Sequence, residues 1–208
     1  MTAPIVPMTI QRGKTLRWVF FYAEQKLVYK TITAMPIKAP CTLTVPSHGL
    51  PDGWPFRIEC VKAPEELNSP DLDSDEPYYF ATVVDADTVE INTLNAHCLK
   101  PFTGEGVLVY NQPADLTGYE ARAQVRASES ATSALFTWNS DGAVVPPPDE
   151  LAIVDVALSQ IILPMDPATS ADLSWSAGVY ETEAIAPSGD VFPVNAISSV
   201  VVTGEVVK

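Results

Sequence analysis

Proline outnumbers glycine in this chain, 19 to 10 among 208 residues, and that imbalance limits what it can fold into. Proline removes a backbone donor and breaks helix interiors, so long helices are disfavoured. The same residue suits strand edges and the first corner of tight turns. Between the prolines lie short runs of β-branched and aromatic residues, the composition that favours strands. TLRWVFFY at 15–22, LVYKTIT at 27–33 and CTLTV at 41–45 are of this kind. Further strands are expected at 56–61, 78–84, 88–91, 107–110, 135–138, 153–158, 160–163, 178–185 and 191–203.

The cleanest pattern is YEARAQVR at 119–126. Tyr119, Ala121, Ala123 and Val125 fall on one face, and Glu120, Arg122, Gln124 and Arg126 on the other. An antiparallel strand with one face on a core and one in water has this alternation. One short helix is predicted at 166–173, with Asp166 as N-cap and Pro167 at the first helical position. Turns are predicted at 46–53, 85–87, 103–106 and 187–190, and a proline-rich loop at 144–148. Ala23-Glu24-Gln25-Lys26 is read as a hairpin turn joining the first two strands, although it lacks the usual Gly or Asn. The total is roughly twelve to fourteen short strands spaced about ten residues apart, the signature of an all-β sandwich or barrel. That number exceeds one small sandwich, so two β units are expected.

Charge excludes several functions. The net charge is −14, which opposes the phosphate neutralisation that sequence-independent nucleic-acid binding needs and disfavours an anionic membrane surface. No apolar run approaches the roughly 18 residues of a membrane-spanning helix. No basic stretch followed by an apolar core marks a secretory signal near Met1 to Pro7. Cys41, Cys60 and Cys98 are odd in number and form no CxxC pair, which fits synthesis in a reducing cytosol. Locally the balance reverses. Before residue 36, Arg12, Lys14, Arg17, Lys26 and Lys30 face one acid, Glu24. Such asymmetry either fixes the register of a partner or is neutralised by acids on neighbouring strands.

Chemical motifs are sparse. His48 lies in Ser47-His48-Gly49, without the GxSxG elbow of a hydrolase, and reads as a turn or packing residue. His97 and Cys98 are adjacent, but neighbours on a strand point to opposite faces. Asp71-Leu72-Asp73-Ser74-Asp75-Glu76 resembles the start of a calcium loop. The glycine and glutamate such a loop requires are replaced by Glu76 and Thr82, so the stretch reads as a solvated acidic loop. Gly104-Glu105-Gly106 lacks the third glycine of a dinucleotide fingerprint. Trp18, Phe20 and Phe21 read as core aromatics, whereas Trp54 falls in a loop and is expected at the surface. No catalytic, cofactor-binding or metal-binding residue is assigned.

Two stretches carry a resemblance. Thr9-Ile10-Gln11-Arg12-Gly13-Lys14-Thr15 with its aromatic strand, and Asp115-Leu116-Thr117-Gly118-Tyr119 running into the alternating strand, resemble tailed-bacteriophage virion proteins. These carry an immunoglobulin-like β-sandwich similar to the N-terminal domain of baseplate upper proteins. The order at the C-terminal end is similar too: Ile161 to Pro164, the short helix, Gly178 to Glu183, the Ser188-Gly189-Asp190 turn and a strand to Thr203. In that family the second strand runs directly into the DLTGY-type segment, whereas here about seventy residues intervene, far more than the few residues of an ordinary connection. The intervening segments at 41–50, 66–68 and 81–91 resemble the small β-barrel module named after the first catalytic-cysteine half-domain of ubiquitin-activating enzymes. The name implies no ubiquitin chemistry.

The resemblance implies an all-β chain: an immunoglobulin-like antiparallel β-sandwich over 1–35 and 108–208, with a small β-barrel over 36–107 inserted in one loop. It implies a non-enzymatic virion protein of the tail tip, baseplate or fibre-attachment region, present in multiple copies and docking other virion proteins. Host-surface binding, to glycan or protein, and capsid decoration or head–tail joining are the alternatives. The candidate partner contacts are Arg12, Lys14, Arg17, Trp54, Asp71, Asp73 and Asp75.

Overall fold

The computed structural model describes residues 3–70 and 78–204. The chain divides into two compact units, one made of Met1–Tyr22 with Asp115–Lys208 and the other of Ala23–Ala114. We call them the interrupted and the intervening unit. Strands β1 (Met8–Gln11) and β2 (Leu16–Phe21) open the interrupted unit. The intervening unit contains β3 (Ala23–Thr31), β4 (Ala34–Lys38), β5 (Cys41–Thr44), β6 (Pro55–Glu59), β7 (Tyr79–Phe80), β8 (Thr82–Asp85), β9 (Thr88–Ile91) and β10 (Val107–Pro113). The interrupted unit resumes with β11 (Glu120–Arg126), β12 (Ala134–Asn139), β13 (Glu150–Leu151), β14 (Ile153–Asp155) and β15 (Gln160–Met165). Helix α1 (Pro167–Ala171) precedes β16 (Ala177–Ile185), β17 (Val191–Pro193) and β18 (Ser198–Thr203). The chain is all-β apart from α1 and one 3-10 turn among the described residues.

The interrupted unit is sandwich-like. One sheet runs β1-β18-β16-β11-β12-β13, with β17 also on β16, and the other runs β14-β15-β2. Both feed one core. The first sheet contributes Ile10, Ala123, Val125, Trp138, Tyr180 and Val200, and the second contributes Phe20, Ile161, Leu163 and Met165. Strand β11 keeps the alternation read from its sequence, with Ala121, Ala123 and Val125 buried and Glu120, Arg122 and Gln124 exposed. The Trp138 indole crosses this core and donates to Pro164 O at 2.6 Å, which ties β12 to the strand end opposite. Helix α1 starts where its cap predicts: the Asp166 carboxylate accepts from Thr169 N at 2.7 Å, and Pro167 occupies the first turn.

The intervening unit has two four-stranded sheets, β3-β10-β6-β7 and β4-β5-β9-β8. They share a second core that includes Ile32, Leu43, Trp54, Phe56, Ile58, Leu67, Ile91 and Leu108. Cys41, Leu43 and Val45 are buried as the CTLTV alternation predicts, but Thr42 is buried as well.

Two expectations differ from the structure, and one pairing was not expected. Ala23-Glu24-Gln25-Lys26 is not a hairpin turn. These residues begin β3, and β2 pairs with β15 while β3 pairs with β10. The segment has no residue suited to the positive backbone angles of a tight hairpin, and the chain passes there from one unit to the other. The unit boundaries also lie outside those expected, at Tyr22/Ala23 and Ala114/Asp115 rather than 35/36 and 107/108. Residues 23–31 belong with the intervening unit because they pair with β10. Finally, β1 pairs parallel with β18, Met8 opposite Val200, a pairing no local pattern announces.

Candidate functional site

The candidate contact residues do not converge on one site. Arg12, Lys14 and Arg17 lie in the interrupted unit, and Lys26 and Lys30 in the intervening one. Arg12 is half-buried. It donates from Nη2 to Trp175 O at 3.1 Å, and its Nε is buried with no hydrogen-bond partner among the described residues. Lys14 and Arg17 are exposed, with Arg17 opposite Pro164 on the β2–β15 ladder. Asp71, Asp73 and Asp75 lie outside the described residues.

Trp54 overturns its expectation. It is buried to 1% exposure, and its indole donates to Asn111 O at 3.0 Å. Gly53 N donates to Ala81 O at 2.7 Å, and Ala81 N to Trp54 O at 3.0 Å. These bonds extend the sheet edge into what the sequence presents as loop. The ring therefore enters the core, where its large apolar area is best placed, and offers no face to a ligand.

His48 is a packing residue in a demanding position. It is buried, its Nδ1 accepts from Leu50 N at 3.0 Å, and its Nε2 lies 2.8 Å from Asp85 O. A ring nitrogen that accepts from an amide carries no proton, so the other nitrogen donates. Tyr110 hydroxyl in turn donates to His48 O. Both ring nitrogens are thus committed to holding the 46–50 turn. Cys41 is buried, and burial pushes its thiol up to about 11, which suppresses the reactive thiolate at neutral pH. Cys60 and Cys98 are exposed free thiols. No group of three or more His, Cys, Asp or Glu among the described residues is placed to hold a metal ion. No helix among them is long and apolar enough to cross a membrane.

A groove of about 400 Å³ lies on the solvent face of β11 and β16. Register dictates its lining: Arg122 stands opposite Glu183, Gln124 opposite Glu181 and Arg126 opposite Val179. Arg122 Nε meets Glu183 Oε2 at 2.5 Å. Arg126 donates to Gln124 Oε1 at 2.9 Å and to Ala131 O at 3.2 Å. Glu129 and Ile197, the latter well exposed, border the groove. Its lining offers hydrogen bonds and alternating charge, the chemistry of protein docking. The sequence reveals the Arg122/Gln124/Arg126 half through alternation. The Glu181/Glu183 half alternates in the same way, but its juxtaposition comes only from register.

The buried polar residues Asn195 and Ser198 escaped sequence reading. Asn195 Oδ1 accepts from Thr182 N at 2.9 Å, and its Nδ2 donates to Ala196 O at 2.7 Å. Ser198 Oγ accepts from Val6 N at 2.9 Å. Together they fix the connection between β17 and β18 and anchor the segment leading into β1.

No protein-family model, curated protein or solved structure matches the chain.

Proposed function

We propose that this chain is a non-enzymatic structural protein of a tailed-bacteriophage virion, situated at the tail tip, baseplate or fibre-attachment region. In this reading the interrupted unit is an immunoglobulin-like sandwich that docks other virion proteins. The intervening unit is a small barrel that supplies a second contact surface. Fold alone does not fix function, so the reading rests on where the resembling segments fall. The DLTGY-type segment with β11, the Asp166-capped helix and the closing strand all belong to one unit, whose two sheets share one core. The CTLTV and TVEI segments pair with each other as β5 and β9 in the other unit. The charged groove over β11 and β16 gives the first unit a solvent face suited to a protein partner.

The test is quantitative mass spectrometry of density-purified virions. The proposal expects peptides from this chain at a fixed ratio to the other tail proteins through successive purification steps. Loss of the chain on purification overturns it.

A further inference from the structure

In the groove over β11 and β16 the cations are engaged and two of the anions are not. The ladder sets its rows: Arg126 stands opposite Val179, Gln124 opposite Glu181 and Arg122 opposite Glu183. Arg122 holds Glu183 in an ion pair, and Arg126 donates to Gln124 Oε1 and to Ala131 O. Glu181 and Glu129 line the same groove, and among the described residues neither side chain has an ion pair or a hydrogen bond. Glu181 is half-buried in the middle row, so its charge is less screened by water than one on an open surface. Beside it the lining is apolar, at Val179 and at Ile197, which is 42% exposed.

We propose that this groove receives a cationic side chain, arginine foremost, from a partner protein. An arginine joins an apolar stem to a charged head. Val179 and Glu181 are consecutive on the solvent face of β16, about 7 Å apart along the strand, a span that one extended arginine side chain covers. The stem lies on Val179 and Ile197, and the guanidinium reaches the unpaired carboxylates. Its planar fork of donors matches a carboxylate better than the point charge of a lysine does. An anionic partner would meet two unpaired carboxylates and a net charge of −14. A second copy of this chain would bring that same charge with it, and like net charges repel. A cationic partner is attracted by the groove and by the whole molecule alike. The inference rests on reading the groove as a docking face, and it is independent of the assignment to a virion.

Titration of the isotope-labelled full chain, followed by its backbone amide shifts at low ionic strength, tests it. The probe is the blocked tripeptide valyl-arginyl-valine, compared with valyl-glutaminyl-valine and valyl-glutamyl-valine. The arginine probe is expected to give saturable shifts at Gln124, Glu129, Val179 and Glu181 that weaken with added salt, and the other two are expected to give none. Glu181→Gln and Glu129→Gln are each expected to raise its dissociation constant roughly two- to fivefold. Glu66→Gln removes the same charge from an exposed position in the intervening unit and is expected to leave binding unchanged. Thermal unfolding of the three variants is expected to match the wild type. A comparison probe that binds the groove as tightly as the arginine probe overturns the choice of a cation and leaves the docking face standing. No saturable shift from any probe overturns both. An equal loss from Glu66→Gln makes the attraction one of net charge and overturns the proposal. So do groove shifts that appear on concentrating the chain alone, which would assign the groove to a second copy. Virion composition, read by mass spectrometry, is untouched by any of these outcomes.

Discussion

His48 has no spare nitrogen. Replacing it with alanine leaves the buried Leu50 N without its acceptor, whereas Asp85 O belongs to an exposed residue and can turn to water. A buried group stripped of its partner costs about 1–3 kcal/mol. His48→Ala is accordingly expected to lower stability by about 1–3 kcal/mol in urea unfolding, against a near-zero effect for His97→Ala, whose side chain is exposed. Tyr180 is a second residue whose environment sets a measurable property. Its hydroxyl donates to Val6 O at 2.5 Å, and burial pushes its phenol from 10.0 up to about 12. Burial likewise pushes the Cys41 thiol from 9.0 to about 11. In both cases the folded state holds the proton more tightly than the unfolded chain does. Their stabilisation is complete below the unfolded values and is lost as pH rises through about 11 and about 12. Chemical unfolding at stepped pH is expected to show stability falling above about pH 9. Tyr180→Phe is expected to cost about 1 kcal/mol at neutral pH and to flatten the fall at the alkaline end.

Strand β11 gives the sharpest test at the level of elements. Ala123 is 1% exposed, whereas Gln124 faces water. Ala123→Asp would bury a charge without a partner, and the expected loss is about 3 kcal/mol or more. Gln124→Asp is expected to stay within about 1 kcal/mol of wild type. Reversed effects would mean the strand register is shifted by one residue. Across the ladder, a Cβ on Gly178 would sit 2.6 Å from Arg126 O and 3.1 Å from a Val125 methyl. Gly178→Ala must therefore push β16 away from β11, and is expected to cost about 1–3 kcal/mol by overpacking. The same elements explain what the sequence disclosed. β11 and α1 were legible because each follows one local rule, period-two alternation in one and an Asp-Pro start in the other. The turn at 187–190 was legible from its Pro, Ser, Gly and Asp, and its bonds run from Ala186 N to Asp190 O and from Gly189 N to Ala186 O. The parallel β1–β18 pair and the departure of β3 from β2 were not legible, because partner choice between distant segments leaves no local periodicity. Trp54 lies beyond local reading for a related reason: its neighbours Pro51, Gly53 and Pro55 read as loop, yet Ala81 pairs with the backbone there.

The whole molecule is one β unit interrupted in sequence by another. The interruption begins after Tyr22 and ends before Asp115, and the Tyr22 and Tyr119 rings lie 6.2 Å apart. The ends of the break are thus near each other, the arrangement in which insertions are tolerated. Replacing 23–114 by a short Gly/Ser linker is expected to leave the interrupted unit able to unfold cooperatively, as judged by near-UV circular dichroism and calorimetry. A chain of 23–114 alone is expected to do the same. Independent units of this kind would suit the proposed role, in which each unit meets a different neighbour in the virion. Antibody-gold labelling of purified virions with serum against this chain, viewed by electron microscopy, tests that proposal most directly. The account predicts gold clustered at the distal tail. Gold over the head or neck, or virions left unlabelled, would contradict it.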